Sequence, residues 1–173
     1  KDLEINGADR LIIDVRGTES HDDITTSATR MLDRLVPAGL MVSELDKEGN
    51  TKELAFSDSN ALNWPAAVIV NSQTAGVPEI FAQVLSDFGA ARVVGTATAG
   101  KGVSLDTKRL SDGSAIRFTT AVYQTPSGKS FDGTGVFPDY EVSAQVDDKD
   151  WEKMSKENDP QLLKALDIVN ASS

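Results

Sequence analysis

The sequence predicts an α/β fold on a mixed, partly parallel sheet, and three observations predict it. Two near-continuous apolar runs, at residues 11–15 and 68–71, have the look of buried parallel strands rather than half-exposed ones. Each is followed by a segment with apolar residues at helical spacing. Two further pairs of strand-like segments meet at tight polar turns, as antiparallel hairpins do. Strand–helix alternation with added hairpins is the pattern of a mixed sheet covered by helices.

In chain order, residues 1–7 read as the tail of a helix stopped by Gly7. Residues 11–15 form the first buried strand. Asp22 and Asp23 then open a helix in which Ile24, Ala28, Met31, Leu32 and Leu35 keep helical spacing until Pro37. Residues 40–45 and 52–56 form a hairpin through the polar turn 47–50, and 57–64 is a polar loop. The central strand at 68–71 runs into a turn of small residues, 72–76, and then a helix. Pro78 suits that helix's first turn, where its missing N–H is not needed. Ile80, Phe81, Val84, Leu85 and Phe88 share its buried face. A strand at 92–95 leads through a loop to Lys101. Strands at 103–110 and 114–123 meet at Asp112-Gly113, a hairpin signal. Residues 125–139 read as a Gly- and Pro-punctuated loop with short strands, 147–150 as a solvated acidic connector, and 160–169 as a closing helix.

The 173 residues suit one domain, 1–173, with 140–173 as its acidic connector and closing helix. At 39% hydrophobic and 25% charged, the composition is that of a soluble globular chain. A net charge of −10 and a pI near 4.5 argue against nucleic acid and anionic membrane as partners. Without cysteine there is no disulfide framework and no thiolate chemistry. No apolar run approaches the ~18 residues of a membrane span. The chain starts at Lys1 with neither initiator Met nor signal peptide, so a fragment is expected.

A strand that stops at a small-residue turn before a helix presents backbone N–H groups that favour negative charge. Acyl-transfer enzymes place a nucleophile and an oxyanion site on such a turn. This one resembles the C-terminal-processing peptidases, or tail-specific proteases, which are serine peptidases with a Ser-Lys dyad. Their strand–turn–helix reads V-N-x-x-[ST]-A-S-A-S-E-I, and Asn71, Thr74, Ala75, Glu79 and Ile80 match it. The nucleophile position is Gly76. The family's general-base Lys follows 25 residues later between glycines, which is Lys101 in Gly100-Lys101-Gly102. Leu105 stands where a Gln often orients that Lys. Downstream, Asp112-Gly113-Ser114-Ala115 through Ser130 and Gly133-Thr134-Gly135-Val136-Phe137-Pro138-Asp139 are similar to two further family motifs. Residues 159–166 resemble its closing helix, and the match spans about residues 8 to 170.

The resemblance implies a ClpP/crotonase-like spiral of ββα units, a polypeptide substrate or partner held as an extended C-terminal segment, no cofactor or metal, and a bacterial envelope location, periplasmic or extracellular. It also implies an upstream peptide-binding PDZ module and first core elements that this chain lacks. The oxyanion region falls at Gly17 and Val77. Where the family reads L-R-x-N-P-G-G after its first strand, this chain reads Val15-Arg16-Gly17-Thr18-Glu19-Ser20-His21, so side chains replace glycines and Glu19 brings a negative charge.

A serine hydroxyl needs an adjacent base, and a lysine serves when its pKa is lowered. Gly76 carries no hydroxyl, and Leu105 cannot orient an ammonium. Thr74 and Ser72 are the nearest substitute nucleophiles, while Thr74 reads more simply as a turn residue. Ser104 is the nearest polar substitute for the orienting group. Loss of the nucleophile alone costs a serine peptidase about a million-fold in turnover. The expectation is therefore an inactive or impaired pseudoprotease that binds peptides or partner proteins. The alternative is an active serine-type endopeptidase cutting near C-termini with Lys101 as base. His21, the only histidine, allows no Ser-His-Asp triad. Asp46 to Asn50 has the glycine of a calcium loop misplaced and reads as a turn. Trp64 and Trp151 read as packing residues, and Gly133-x-Gly135 is too short for a nucleotide fingerprint.

Overall fold

A four-stranded parallel sheet in the order β1 (Leu11–Asp14), β5 (Ala66–Val70), β7 (Arg92–Gly95), β10 (Tyr140–Glu141) carries the fold. The structure, a computed structural model, describes residues 5–20, 27–58 and 61–171. Expectations resting on residues 1–4, His21, Asp22, Asp23 or Ile24 lie outside the described residues.

The continuous apolar run of β5 is required because both faces of this sheet are covered. Val68 and Val70 face the main core, with Leu32 of α1 (Ser27–Asp33) and Ile80, Val84 and Leu85 of α2 (Val77–Asp87). Ala67 and Ile69 face the opposite way, onto Ala165 and Val169 of α3 (Pro160–Ala171). Val93 and Val94 divide between the same two clusters. β5 and β7 approach closely enough that residue 95 must be glycine: a β-carbon there would stand 1.9 Å from the Val70 carbonyl oxygen, at φ +132°. β1 differs from expectation. It is an edge strand, so Leu11, Ile12 and Ile13 are half-buried and Asp14 is exposed.

Both hairpins form and join in a second, antiparallel sheet, ordered β4 (Thr51–Ser57), β3 (Gly39–Asp46), β9 (Ala115–Gln124), β8 (Val103–Arg109). At the β3–β4 turn, Asp46 Oδ1 accepts the N–H groups of Glu48 and Asn50 at 2.9 and 2.8 Å, and Asn50 Nδ2 donates to Oδ2 at 2.9 Å. The carboxylate is used by the turn itself. These bonds, first that from the Asn50 side chain, hold the Asp46 carboxyl below its ordinary pKa. Residues 125–139 form no strands. Gly128, Gly133 and Gly135, all at positive φ, fold this stretch into successive turns that leave no extended run to pair.

The acidic connector is also not simply solvated. Residues 148–153 form a 3₁₀ helix that packs back against the end of β5, and Asp148 holds that end, as described next. Among the described residues, no helix is long and apolar enough to cross a membrane.

Candidate active site

The turn that follows β5 is fastened by its own polar side chains. Asn71, 1% exposed, accepts the N–H groups of Gly17 and Gln73 on Oδ1, both at 3.1 Å. Its Nδ2 donates to the Asp148 carbonyl at 3.0 Å. Thr74 is fully buried. Its hydroxyl donates to the Val15 carbonyl at 2.9 Å and accepts the Asn71 N–H at 3.1 Å. A hydroxyl so engaged ties strand β1 to the turn. Ser72 is exposed, and its N–H is bound by Asp148 Oδ2 at 3.0 Å, which also accepts the Thr96 hydroxyl at 3.1 Å.

The turn ends in a two-residue strand, β6 (Ala75–Gly76), which pairs in parallel with β2 (Glu19–Ser20). Glu19 stands opposite Ala75 and Ser20 opposite Gly76. The Ala75 N–H is taken by the Thr18 carbonyl at 2.9 Å. Gly76 then caps α2 with φ +74° and ψ −123°, backbone that a residue with a β-carbon adopts only under strain.

Three residues on, Glu79 is fully buried and forms the centre of the site. Oε2 accepts the N–H groups of Gly76 at 2.9 Å and Lys101 at 2.8 Å. Oε1 accepts the Gly100 N–H at 2.7 Å and the Thr98 hydroxyl. That hydroxyl in turn accepts the Val136 N–H at 2.8 Å. A buried carboxylate needs such a full set of donors. One oxygen thus brings the nucleophile position and the lysine loop together at the backbone. The helix N-terminus receives its negative charge from within the chain.

The Lys101 ammonium reaches across to the loop after β1 and pairs with Glu19, Nζ to Oε1 at 2.6 Å. Glu19, the negative charge that the sequence brings to the oxyanion region, thus neutralises the lysine. Both side chains are about half exposed (47% and 51%), so the pair is worth roughly 0–1 kcal/mol. Gly17, whose N–H is held by Asn71, lies at φ +63°, and a β-carbon there would stand 3.2 Å from the Trp151 Nε1. Val77 is the half-buried first residue of α2. Leu105 lies in β8 opposite Thr119, half-buried, and carries no polar atom toward Lys101. Ser104 stands opposite Ala121, and the register shift of the β8–β9 ladder falls between it and Leu105.

Arg16 underlies the loop. Its guanidinium is buried, pairs with Asp14 at 2.6 Å and Asp159 at 2.8 Å, donates to Gln161 Oε1 at 2.9 Å, and lies 4.1 Å from the Trp151 ring centre. Burial pulls its pKa down, but the hydrogen bonds and charges of Asp14 and Asp159 outweigh burial and raise it. Trp151 is therefore a packing residue. Trp64 is half-buried in the wall of a surface groove with Pro37, Pro65 and Phe88.

Sequence reasoning marks Glu79 only as a motif match, and it misses the holding roles of Thr98 and Asp148. Glu79 carries one signal, an acid at the third helix position reaching back to the cap, half of a capping box. Thr98 and Asp148 carry none, since their partners lie 19 and 76 residues away.

Comparison with known proteins bears on this geometry. The profile of Peptidase family S41 matches residues 1–142. A "Probable CtpA-like serine protease" of Staphylococcus epidermidis is 30% identical over 140 residues, covering 79% of this chain and 28% of the relative. Its counterpart in Staphylococcus aureus strain N315 is 28% identical over the same shares. This chain therefore spans little more than a quarter of the length of these curated relatives. Among solved structures, a photosystem II D1 C-terminal processing protease superposes with a TM-score of 0.74 at 30% identity, over 82% of this chain and 36% of that one. A lipoprotein from Streptococcus agalactiae shares the fold at 18% identity, with a TM-score of 0.73, over 99% of this chain and 58% of that one.

Proposed function

The chain belongs to peptidase family S41, the C-terminal-processing serine peptidases, and from that premise we propose that it is a pseudoprotease: a domain that binds polypeptides and does not cleave them. The observation that carries this reading is at the dyad itself. Position 76 has no hydroxyl, and the lysine whose neutral amine would have to take a proton from it is bound to a carboxylate at 2.6 Å. The nearest alternatives do not supply the missing oxygen. Thr74 is buried with its hydroxyl spent on Val15 and Asn71, and Ser72 lies in an exposed turn. Peptide hydrolysis needs a nucleophile, a base in reach of it and donors facing the oxyanion. In this reading Lys101 holds the base position, Gly76 the nucleophile position, Leu105 the orienting position, and Gly17 and Val77 the oxyanion region.

What remains of the site is a groove that holds an extended chain by strand addition. Its occupant is an extended, C-terminal polypeptide segment of a substrate-like or partner protein. The reading also makes residues 1–173 one protease-core domain of a longer envelope protein, periplasmic or extracellular.

The test is incubation of the native chain with an unstructured fluorescent peptide, followed by mass spectrometry and polarisation. Binding without any cleaved product is the expected result. Gly76→Ser alone restores little turnover, because Glu19 still holds Lys101 and Leu105 orients nothing. Cleavage by the native chain, abolished in Lys101→Ala, would establish the active-peptidase alternative.

A further inference from the structure

We infer that Lys101, having no hydroxyl to serve, acts as a carboxylate receptor, and that Glu19 is its exchangeable internal occupant. The inference rests on the proposed peptide-binding groove and names the chemistry that groove selects: a carboxylate on the bound polypeptide, either its C-terminal carboxylate or an acidic side chain.

The geometry supports this in three steps. First, the lysine is presented from a rigid base. Its own N–H and that of Gly100 are fixed on the buried Glu79, and the Gly102 N–H donates to Asp132 Oδ1 at 3.2 Å. The ammonium therefore projects from a fixed point beside Gly76, whose N–H shares the same carboxylate oxygen. Second, a carboxylate already sits there. Glu19 Oε1 lies 2.6 Å from Nζ, a charge-assisted contact, and its backbone is registered against Ala75 in the β2–β6 ladder. The bound Glu19 group is the chemical stand-in for the ligand. Third, the pair is open to water on both sides, at 47% and 51% exposure. A half-exposed pair adds little stability, so an incoming carboxylate exchanges with Glu19 without breaking the fold. Glu79 does not compete for this role: it is fully buried and saturated by four donors.

The experiment is fluorescence polarisation on the whole chain with three fluorescein-labelled peptides of one apolar sequence. One ends in a free carboxylate, one in a carboxamide, and one is a carboxamide with a single internal Glu. The native chain is expected to bind the free acid more tightly than the amide, by about three- to tenfold at low salt, with the difference shrinking as ionic strength rises. Glu19→Gln vacates the ammonium and raises the acid-over-amide preference by about two- to fivefold, the equilibrium worth of a half-exposed pair. Lys101→Met abolishes discrimination between acid and amide, and Lys101→Arg keeps it. The internal-Glu peptide behaves like the acid if a side chain suffices, and like the amide if the terminus is what is read. Thermal melting of each variant confirms folding, since both side chains lie at the surface. Equal binding of acid and amide by the native chain overturns the inference while the groove reading stands. Failure of every peptide to bind overturns both.

Discussion

Replacing Glu79 tests the centre of this structure, because its carboxylate is fully buried and accepts four donors. Glu79→Gln keeps the shape and turns one acceptor oxygen into a donor. If the amide nitrogen takes the Oε2 side, it faces two backbone N–H groups, those of Gly76 and Lys101, neither of which can turn away. If it takes the Oε1 side, the Thr98 hydroxyl can rotate, and only the Gly100 N–H is left facing a donor. The second arrangement is the cheaper, and one orphaned buried N–H costs about 1–3 kcal/mol. The two remaining bonds also lose their charge assistance. A total of about 2–3 kcal/mol corresponds to a fall of roughly 4–12 °C in melting temperature for a chain of this size. Glu79→Ala orphans all four donors, at about 4 kcal/mol or more. The assay is thermal unfolding combined with amide hydrogen exchange, read at Gly76, Gly100 and Lys101. These three amides should lose protection first, since each donates to the missing acceptor. A Gln variant that melts within one degree of the native chain, with those amides still protected, refutes the account of Glu79 as the tie between the two loops.

Gly76 should resist any β-carbon. Gly76→Ala and Gly76→Ser each impose backbone strain of about 1–3 kcal/mol at φ +74°, ψ −123°, measured by urea unfolding; a neutral Ala variant would show that the turn is relaxed there. Arg16→Met leaves Asp14 and the buried Asp159 without their cation and costs about 3–5 kcal/mol, and Arg16→Lys rescues it poorly because a point charge cannot serve both carboxylates and Gln161. Equal stability of the Lys variant and the native chain would contradict this. Asn50→Ala removes the largest cause of the depressed Asp46 pKa, so NMR titration should show that carboxyl moving up toward its ordinary value. The sign follows from linkage: a carboxyl depressed in the folded state contributes stability above its unfolded pKa and loses it as the pH falls through the folded one. The variant's turn is therefore less stabilised at neutral pH, and an unmoved titration would show that the turn's backbone bonds alone set the shift.

Much of the fold is legible because its signals are local. The run at β5 is apolar at every position, which only a strand covered on both faces requires. The two hairpins announce themselves through Asp46–Asn50 and Asp112-Gly113, whose turn bonds span four residues or fewer. The spacing from Gly76 to Lys101 marks two positions, and the structure brings them onto one carboxylate oxygen. Local signals fail where burial depends on neighbours. β1 has the composition of a central strand but lies at the sheet edge, and residues 147–150 look like a solvated run although Asp148 holds Ser72 and Thr96.

By itself the chain's order of residues determined that a strand runs into a small-residue turn and a helix, that no oxygen projects from position 76, and that a lysine follows in a glycine-flanked loop. Those are properties of adjacent residues and need no partner. Which charge meets which was decided only in three dimensions. Glu19 finds Lys101 at a separation of 82 residues, and Glu79 gathers donors from residues 76, 98, 100 and 101. A charge takes its partner from whatever the packed sheet and loops place within about 3 Å, and no periodicity along the chain encodes that distance.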